Sequence, residues 1–120
     1  MLNDGSPIFL QLAETIQAGI LDGTYPEESQ VPSTNEFAAY LRINPATAGK
    51  GMALLVERGI LYKKRGIGMF VATGARAQLI DQRRRDFAAE YLTPLLREAA
   101  KLGLSRPEIV AMIQHQDGTP

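Results

Sequence analysis

The chain has 120 residues, enough for one domain or a small module with an extension and too few for two full domains. With 45% hydrophobic and 22% charged residues it has the composition of a soluble globular protein that buries roughly two thirds of its unfolded surface, and the lack of cysteine excludes disulfides and thiolate metal sites. The formal net charge of zero hides a segregation, −6 before Arg42, +8 from Arg42 to Arg85 and −2 beyond, and phosphates respond to such a local basic footprint whatever the total.

Met1-Leu2-Asn3-Asp4 carries no basic segment leading into an apolar stretch, and no uncharged run approaches the ~20 residues that span a bilayer. A cytoplasmic location without membrane contact is expected. The first periodic segment runs from Pro7 to Asp22, where Phe9, Leu12, Ala13, Ile16 and Ile20 recur at helical steps and Gly23 supplies the stop. Thr24 to Pro32 reads as a loop, with Gln30-Val31 at most a short strand.

Ser33-Thr34-Asn35-Glu36 is a capping box and opens a second helix with Phe37, Ala38 and Leu41 inward. Asn44-Pro45 is a second start signal, an N-cap followed by proline in the first turn. The third helix then runs to about Arg58, with Ala48, Met52, Leu55 and Val56 inward and Gly59 as its end. Two short helices around a tight turn make a helix-turn-helix.

Ile60–Lys64 and Met69–Ala72 are β-prone segments flanking Arg65-Gly66-Ile67-Gly68, whose glycines can take positive φ. A basic hairpin directly after a helix-turn-helix is a winged helix. The expected fold is therefore mainly α with a small β-hairpin, a winged helix-turn-helix head over residues 1–74. Residues 75–120 should form a short helical tail. There Ile80, Phe87, Ala88, Tyr91, Leu92, Leu95, Ala99 and Leu102 make a broad apolar stripe, and Pro94 should kink it. Ser105-Arg106-Pro107-Glu108 is a further capping box opening a last helix with Ile109, Met112 and Ile113 on one side, and the polar tail after Gln114, which ends in Gly118-Thr119-Pro120, should fray.

Residues for catalysis are scarce. His115 is the single histidine and lies beside the polar end, the carboxylates are scattered, and Gly66-Ile67-Gly68 lacks the third glycine and the helix of a dinucleotide loop. No enzymatic activity, cofactor or metal is expected.

The third helix instead suits DNA. Ala46, Thr47, Gly49, Lys50, Ala53 and Leu54 face away from the expected core, and those nearest its start are small or hydrogen-bonding, which lets a helix enter the major groove closely. Thr47 offers a hydroxyl and a methyl, and Lys50 can reach guanine or phosphate. Gly49 and Gly51 each cost a helix interior roughly 1 kcal/mol relative to alanine. Close packing on the first helix or on DNA would explain them, and the sequence leaves the two open.

Pro7-Ile8-Phe9-Leu10-Gln11-Leu12, Val31-Pro32-Ser33-Thr34, Ile43-Asn44-Pro45-Ala46-Thr47, Glu57-Arg58-Gly59-Ile60-Leu61 and Gly66-Ile67-Gly68-Met69-Phe70-Val71, in that order, resemble the signatures of the GntR family of bacterial transcription regulators. The short tail, with Pro94-Leu95-Leu96 and Leu102-Gly103-Leu104-Ser105, resembles the small YtrA-type subfamily. The resemblance implies a homodimeric winged-helix repressor on a roughly palindromic double-stranded operator. It points to Ser33, Thr34, Asn35, Asn44, Ala46, Thr47, Gly49, Lys50, Lys64, Arg65, Gly66 and Gly68 as the DNA-binding set. Asn35 stands where the family usually has a base-reading arginine, and Gly49 where it often has a basic residue.

A stripe as apolar as that from Phe87 to Leu102 needs a cover, and a second subunit is the simplest one. Phe87, Tyr91, Leu92, Leu95, Leu96, Ala99 and Leu102 are the expected dimerisation residues. Arg83, Arg84 and Arg85 are a solvated helix face, phosphate contacts or partners of Asp86 and Glu90 across subunits. Two rival readings remain at this point: a winged-helix module that binds another protein through Tyr62, Ile67 and Phe70, and a sensor holding an unidentified small-molecule effector between dimer helices.

Overall fold

The computed structural model describes residues 5–116. Their elements, in chain order, are α1 (Ile8–Leu21), α2 (Thr34–Leu41), α3 (Pro45–Glu57), β1 (Leu61–Lys64), β2 (Gly68–Val71), α4 (Ala75–Phe87), a π-helical turn (Ala88–Leu92), α5 (Thr93–Lys101) and α6 (Arg106–Gln114). The chain divides into two compact units, Met1–Asp81 and Gln82–Pro120, called here the head and the tail. The division falls inside α4, whose first residues Ala75 and Leu79 belong to the core of the head.

That core is where three helices and the hairpin meet. Leu12, Ile16 and Ile20 of α1, Met52 and Leu55 of α3, and Ile60, Leu61 and Val71 around the hairpin are all fully buried. α1 starts after Pro7, whose carbonyl accepts from the Leu10 and Gln11 amides at 3.1 and 3.2 Å. The capping box on α2 is complete: the Glu36 amide donates to Ser33 Oγ at 3.1 Å and the Ser33 amide to Glu36 Oε1 at 2.8 Å. α2 ends on Arg42 in the left-handed conformation, φ 57°, and the Ile43 amide returns to the Ala38 carbonyl at 3.0 Å. Two residues later Asn44 caps α3, so the turn between the helices is tight.

The inward face of α3 differs from the expected one at three positions. Val56 is exposed and Gly51 takes the inward place beside Ala48, Met52 and Leu55. Leu54, expected to face outward, is half-buried against the core. A Cβ on Gly51 would lie 2.8 Å from the Phe9 carbonyl oxygen and 3.2 Å from Leu12 Cδ2, so this glycine lets α1 and α3 touch. Gly49 is different: its only near neighbour is Thr34 Cγ2 at 3.7 Å. Of the two explanations left open by the sequence, packing on α1 accounts for Gly51 and not for Gly49.

β1 and β2 pair antiparallel, Leu61 opposite Val71 and Lys64 opposite Gly68, around a turn in which Gly66 has φ 78° and the Ile67 amide donates to the Lys64 carbonyl at 2.9 Å. The segment after α1 adds a third, minimal rung. Gln30 bridges Phe70, and the Val31 and Val71 amides reach the Met69 and Ser29 carbonyls at 2.9 and 3.0 Å.

In the tail, the kink expected at Pro94 takes the form of the π-helical turn just before it, where the Thr93 amide donates to the Ala88 carbonyl five residues back. Proline has no N–H, and its ring crowds the carbonyl of Glu90 four residues earlier, so the helical register slips ahead of it. Gly103, φ 70°, turns the chain between α5 and α6, and the Ser105–Glu108 capping box starts α6 as the sequence indicates. α5 and α6 frame an apolar groove lined by Leu95, Ala99, Leu102, Leu104, Ile109 and Met112. Of the stretch after Gln114 expected to fray, His115 and Gln116 still close onto α6, their amides donating to the Ala111 and Ile113 carbonyls at 3.0 and 3.2 Å, and residues 117–120 lie outside those described. No described helix is long and apolar enough to cross a membrane.

Candidate nucleic-acid interface

α3 is anchored through Ala48, Gly51, Met52 and Leu55, which leaves the start of the helix and its outer side to solvent. Ala46 and Lys50 are exposed; Thr47 and Gly49 are half-buried. Asn44 Oδ1 accepts from the Ala46 amide at 2.8 Å, so this side chain is first a cap. At the start of α2, Ser33 is likewise engaged as the N-cap, Asn35 is exposed, and Thr34 is half-buried with its methyl toward Gly49. The structure thus brings Thr34 of α2 and Gly49 of α3 side by side. Lys50, although exposed, is not without a neighbour: its ammonium lies 4.2 Å from the centroid of the Phe9 ring.

The wing carries Lys63, Lys64 and Arg65 exposed on its arm and tip. Lys64 Nζ lies 4.1 Å from the centroid of Phe70, which stacks on Tyr62 with ring centroids 5.9 Å apart. Two of the three residues of the rival protein-binding surface are therefore taken up by each other and by Lys64, while Ile67 is exposed. Arg65, Gly66 and Gly68 form the tip, Gly66 at φ 78° and Gly68 at φ 150°.

Several residues that shape this surface are invisible to local sequence reading. Gln30 Nε2 donates to the Ile67 carbonyl at 3.1 Å and so supports the tip from below, in space that a side chain on Gly68 would fill. Glu28, itself at φ 65°, accepts hydrogen bonds from the Tyr62 and Thr73 hydroxyls and ties both ends of the hairpin to the loop after α1. Those two bonds, with Lys64 nearby, hold the Glu28 carboxyl below its ordinary range, and the bond to Glu28 raises the Tyr62 phenol. Arg76, also exposed, donates from Nε to the Leu21 carbonyl at 3.1 Å and is thereby tied to the end of α1.

In the tail, Phe87, Tyr91, Leu92, Leu95 and Leu102 are exposed, Leu96 is half-buried and Ala99 is buried. Phe87 and Tyr91 are in contact, ring centroids 5.6 Å apart. Arg83, Arg84 and Arg85 are exposed; Arg85 donates to Gln82 Oε1 at 2.9 Å. Among the described residues the one ion pair is Lys101–Glu98, at 3.9 Å.

No family model matches the chain. A solved transcriptional regulator of the GntR family from Bacteroides thetaiotaomicron is 36% identical with a TM-score of 0.71, over 89% of this chain and 93% of that one. The repressor YtrA of Bacillus subtilis is 26% identical over 82% of this chain and 75% of its own length. The DNA-binding domain of AraR, solved in complex with operator ORR3, is 30% identical with a TM-score of 0.53, over 60% of this chain and 92% of that one.

Proposed function

Because the chain belongs to the GntR family of bacterial transcription regulators, in its short YtrA-type subfamily, we propose that it is a homodimeric, sequence-specific DNA-binding repressor, not an enzyme, acting on a roughly palindromic operator in the cytoplasm. In this reading residues 1–74 bind DNA and residues 75–120 join the subunits. The observation that carries it is α3, which is fixed to the core by one face and turns small and hydrogen-bonding residues outward at its start, within a winged helix-turn-helix.

Thr47 reads base edges from α3, Lys50 reaches guanine or phosphate beside it, Asn35 reads from the start of α2, and Ala46 and Gly49 keep the helix close to the groove floor. Ser33, Thr34, Lys64 and Arg65 contact phosphates, which position the protein without carrying sequence. Asn44 caps the reading helix, and Gly66 and Gly68 shape the wing. The exposed stripe of Phe87, Tyr91, Leu92, Leu95 and Leu102, with Leu96 and Ala99 beside it, supports a second copy as its cover.

The test compares a reading residue with a positioning one. On a duplex selected from a random pool, Thr47→Ala should cost roughly 1 to 3 kcal/mol, and almost nothing on unselected DNA. Thr34→Ala should cost about the same on both. An unchanged ratio of selected to unselected affinity for folded Thr47→Ala would take α3 out of the reading role. Sedimentation of the wild type as a monomer at tens of micromolar would remove the dimer.

A further inference from the structure

Lys50 is exposed on α3, and nothing in its own helix explains why its ammonium lies against a ring. The cause is in α1. Gly51, the next residue, has no side chain, and the α1 backbone comes so close at Phe9 that a Cβ would meet the Phe9 carbonyl at 2.8 Å. This approach places the half-buried Phe9 ring 4.2 Å from the Lys50 ammonium, within the reach of a cation–π contact. The wing repeats the pairing independently, with Lys64 4.1 Å from Phe70. Lysines that the function proposed above puts on DNA thus rest on phenylalanine rings in both parts of the head.

We infer that Phe9 is a positioning residue for DNA binding, its ring holding the Lys50 ammonium ordered at the outer surface of α3. The inference rests on the DNA-binding reading of α3. A lysine stem is flexible, and binding must freeze it; a ring that already fixes the ammonium removes part of that loss. The ring attracts the charge through its quadrupole without neutralising it and covers one side of the ammonium, so the remaining N–H donors stay available for phosphate or guanine. A leucine at position 9 would fill similar space and supply no quadrupole.

The experiment uses the full chain and a random-sequence duplex, with fluorescence anisotropy over a range of salt concentrations. Phe9→Leu should weaken binding about two- to fivefold at an unchanged salt slope, since Lys50 keeps its charge and still displaces a counterion. Phe9→Tyr should bind like the wild type. Lys50→Met should lower the slope by about one unit, and in that background Phe9→Leu should have no further effect. In the free protein, the NMR signals of the Lys50 ε-methylene should be shifted upfield by the ring and move back in Phe9→Leu.

The possible failures are distinguishable. If Phe9→Leu weakens binding equally with and without Lys50, or the ε-methylene shows no ring shift, Phe9 is a packing residue and the inference falls. If Lys50→Met lowers the slope while Phe9→Leu costs nothing, the ring has no part in binding although Lys50 does. If Lys50→Met leaves the slope unchanged, Lys50 meets no phosphate on this duplex and the inference falls. A wild type without affinity for any duplex would overturn the DNA-binding reading itself, and the positioning role with it.

Discussion

In the head, Leu12, Ile16, Ile20, Met52, Leu55, Ile60, Leu61 and Val71 are each at most 1% exposed. In the tail, Phe87, Tyr91, Leu92, Leu95, Leu102, Val110, Met112 and Ile113 keep 43% to 64% of their surface. Both regions are built from amphipathic helices, so the difference lies in what the helices meet. In the head, three helices and a hairpin converge and each apolar stripe finds another. In the tail, α5 and α6 frame an open groove, and the stripe that leads into them has no facing element among the described residues of its own unit. The head buries its apolar residues within one chain; the tail leaves its own exposed, and the proposed dimer would cover them.

The largest expected effect tests the burial in the head. Leu55→Ala should lower its stability by about 2 to 5 kcal/mol at any protein concentration. Leu102→Ala in the tail should cost an amount that grows with concentration, as linkage to association demands. Urea unfolding at two widely separated concentrations decides it, and a concentration-independent loss for Leu102 equal to that for Leu55 would mean that the tail closes on itself. A smaller effect separates two glycines within α3. Gly51→Ala forces a Cβ against the α1 backbone and should destabilise by about 1 to 3 kcal/mol. Gly49→Ala meets ordinary contact with Thr34 and should stabilise the helix by up to about 1 kcal/mol. If Gly49→Ala is the more stable protein and the weaker DNA binder, that glycine serves the groove and not the fold.

The smallest effect is titration, and it touches both regions. Hydrogen bonds lower the carboxyl of Glu28 in the head, through Thr73 and Tyr62, and of Glu108 in the tail, through the Ser105 amide and hydroxyl. A carboxyl lowered by folding stabilises the folded state above its unfolded value and loses that contribution as pH falls through the folded one. Both regions should therefore loosen slightly below the ordinary glutamate value of about 4.5 and not above it. Glu28→Gln should flatten this response in amide exchange of the hairpin while leaving that of Ser105 unchanged.

The order of elements was legible because it is written in local signals: two capping boxes, Asn44-Pro45, and glycines at the ends of helices. The face of α3 was less so. Hydrophobicity favours Val56 over Gly51 for an inward place, yet the inward place was set by how close α1 comes, which no single helix records. Gln30 and Glu28 were missed for the same reason, since their bonds span 34 to 45 positions and neither residue belongs to a recognisable motif. The candidate residues on α3 are proposed from their types and their place after the cap, and the structure leaves Ala46 and Lys50 exposed and Thr47 and Gly49 half-buried. That Lys50 is held by Phe9 could not be read in this way, because the contact joins two helices.

The π-helical turn has a consequence for the stripe that it interrupts. An ordinary helix holds about 3.6 residues per turn, so side chains four apart creep steadily around it. The wider turn at Ala88–Leu92 absorbs part of that creep and helps keep Phe87 and Tyr91 in file with Leu95, Ala99 and Leu102. Deleting one residue there would restore a regular helix and leave Leu95 on the side of Phe87, because the wide turn holds one residue more than an ordinary one, whereas winding all of its residues as a regular helix would set the two about 80° apart. The alignment of the stripe depends on a fault in the winding, and the proline after it makes that fault difficult to repair.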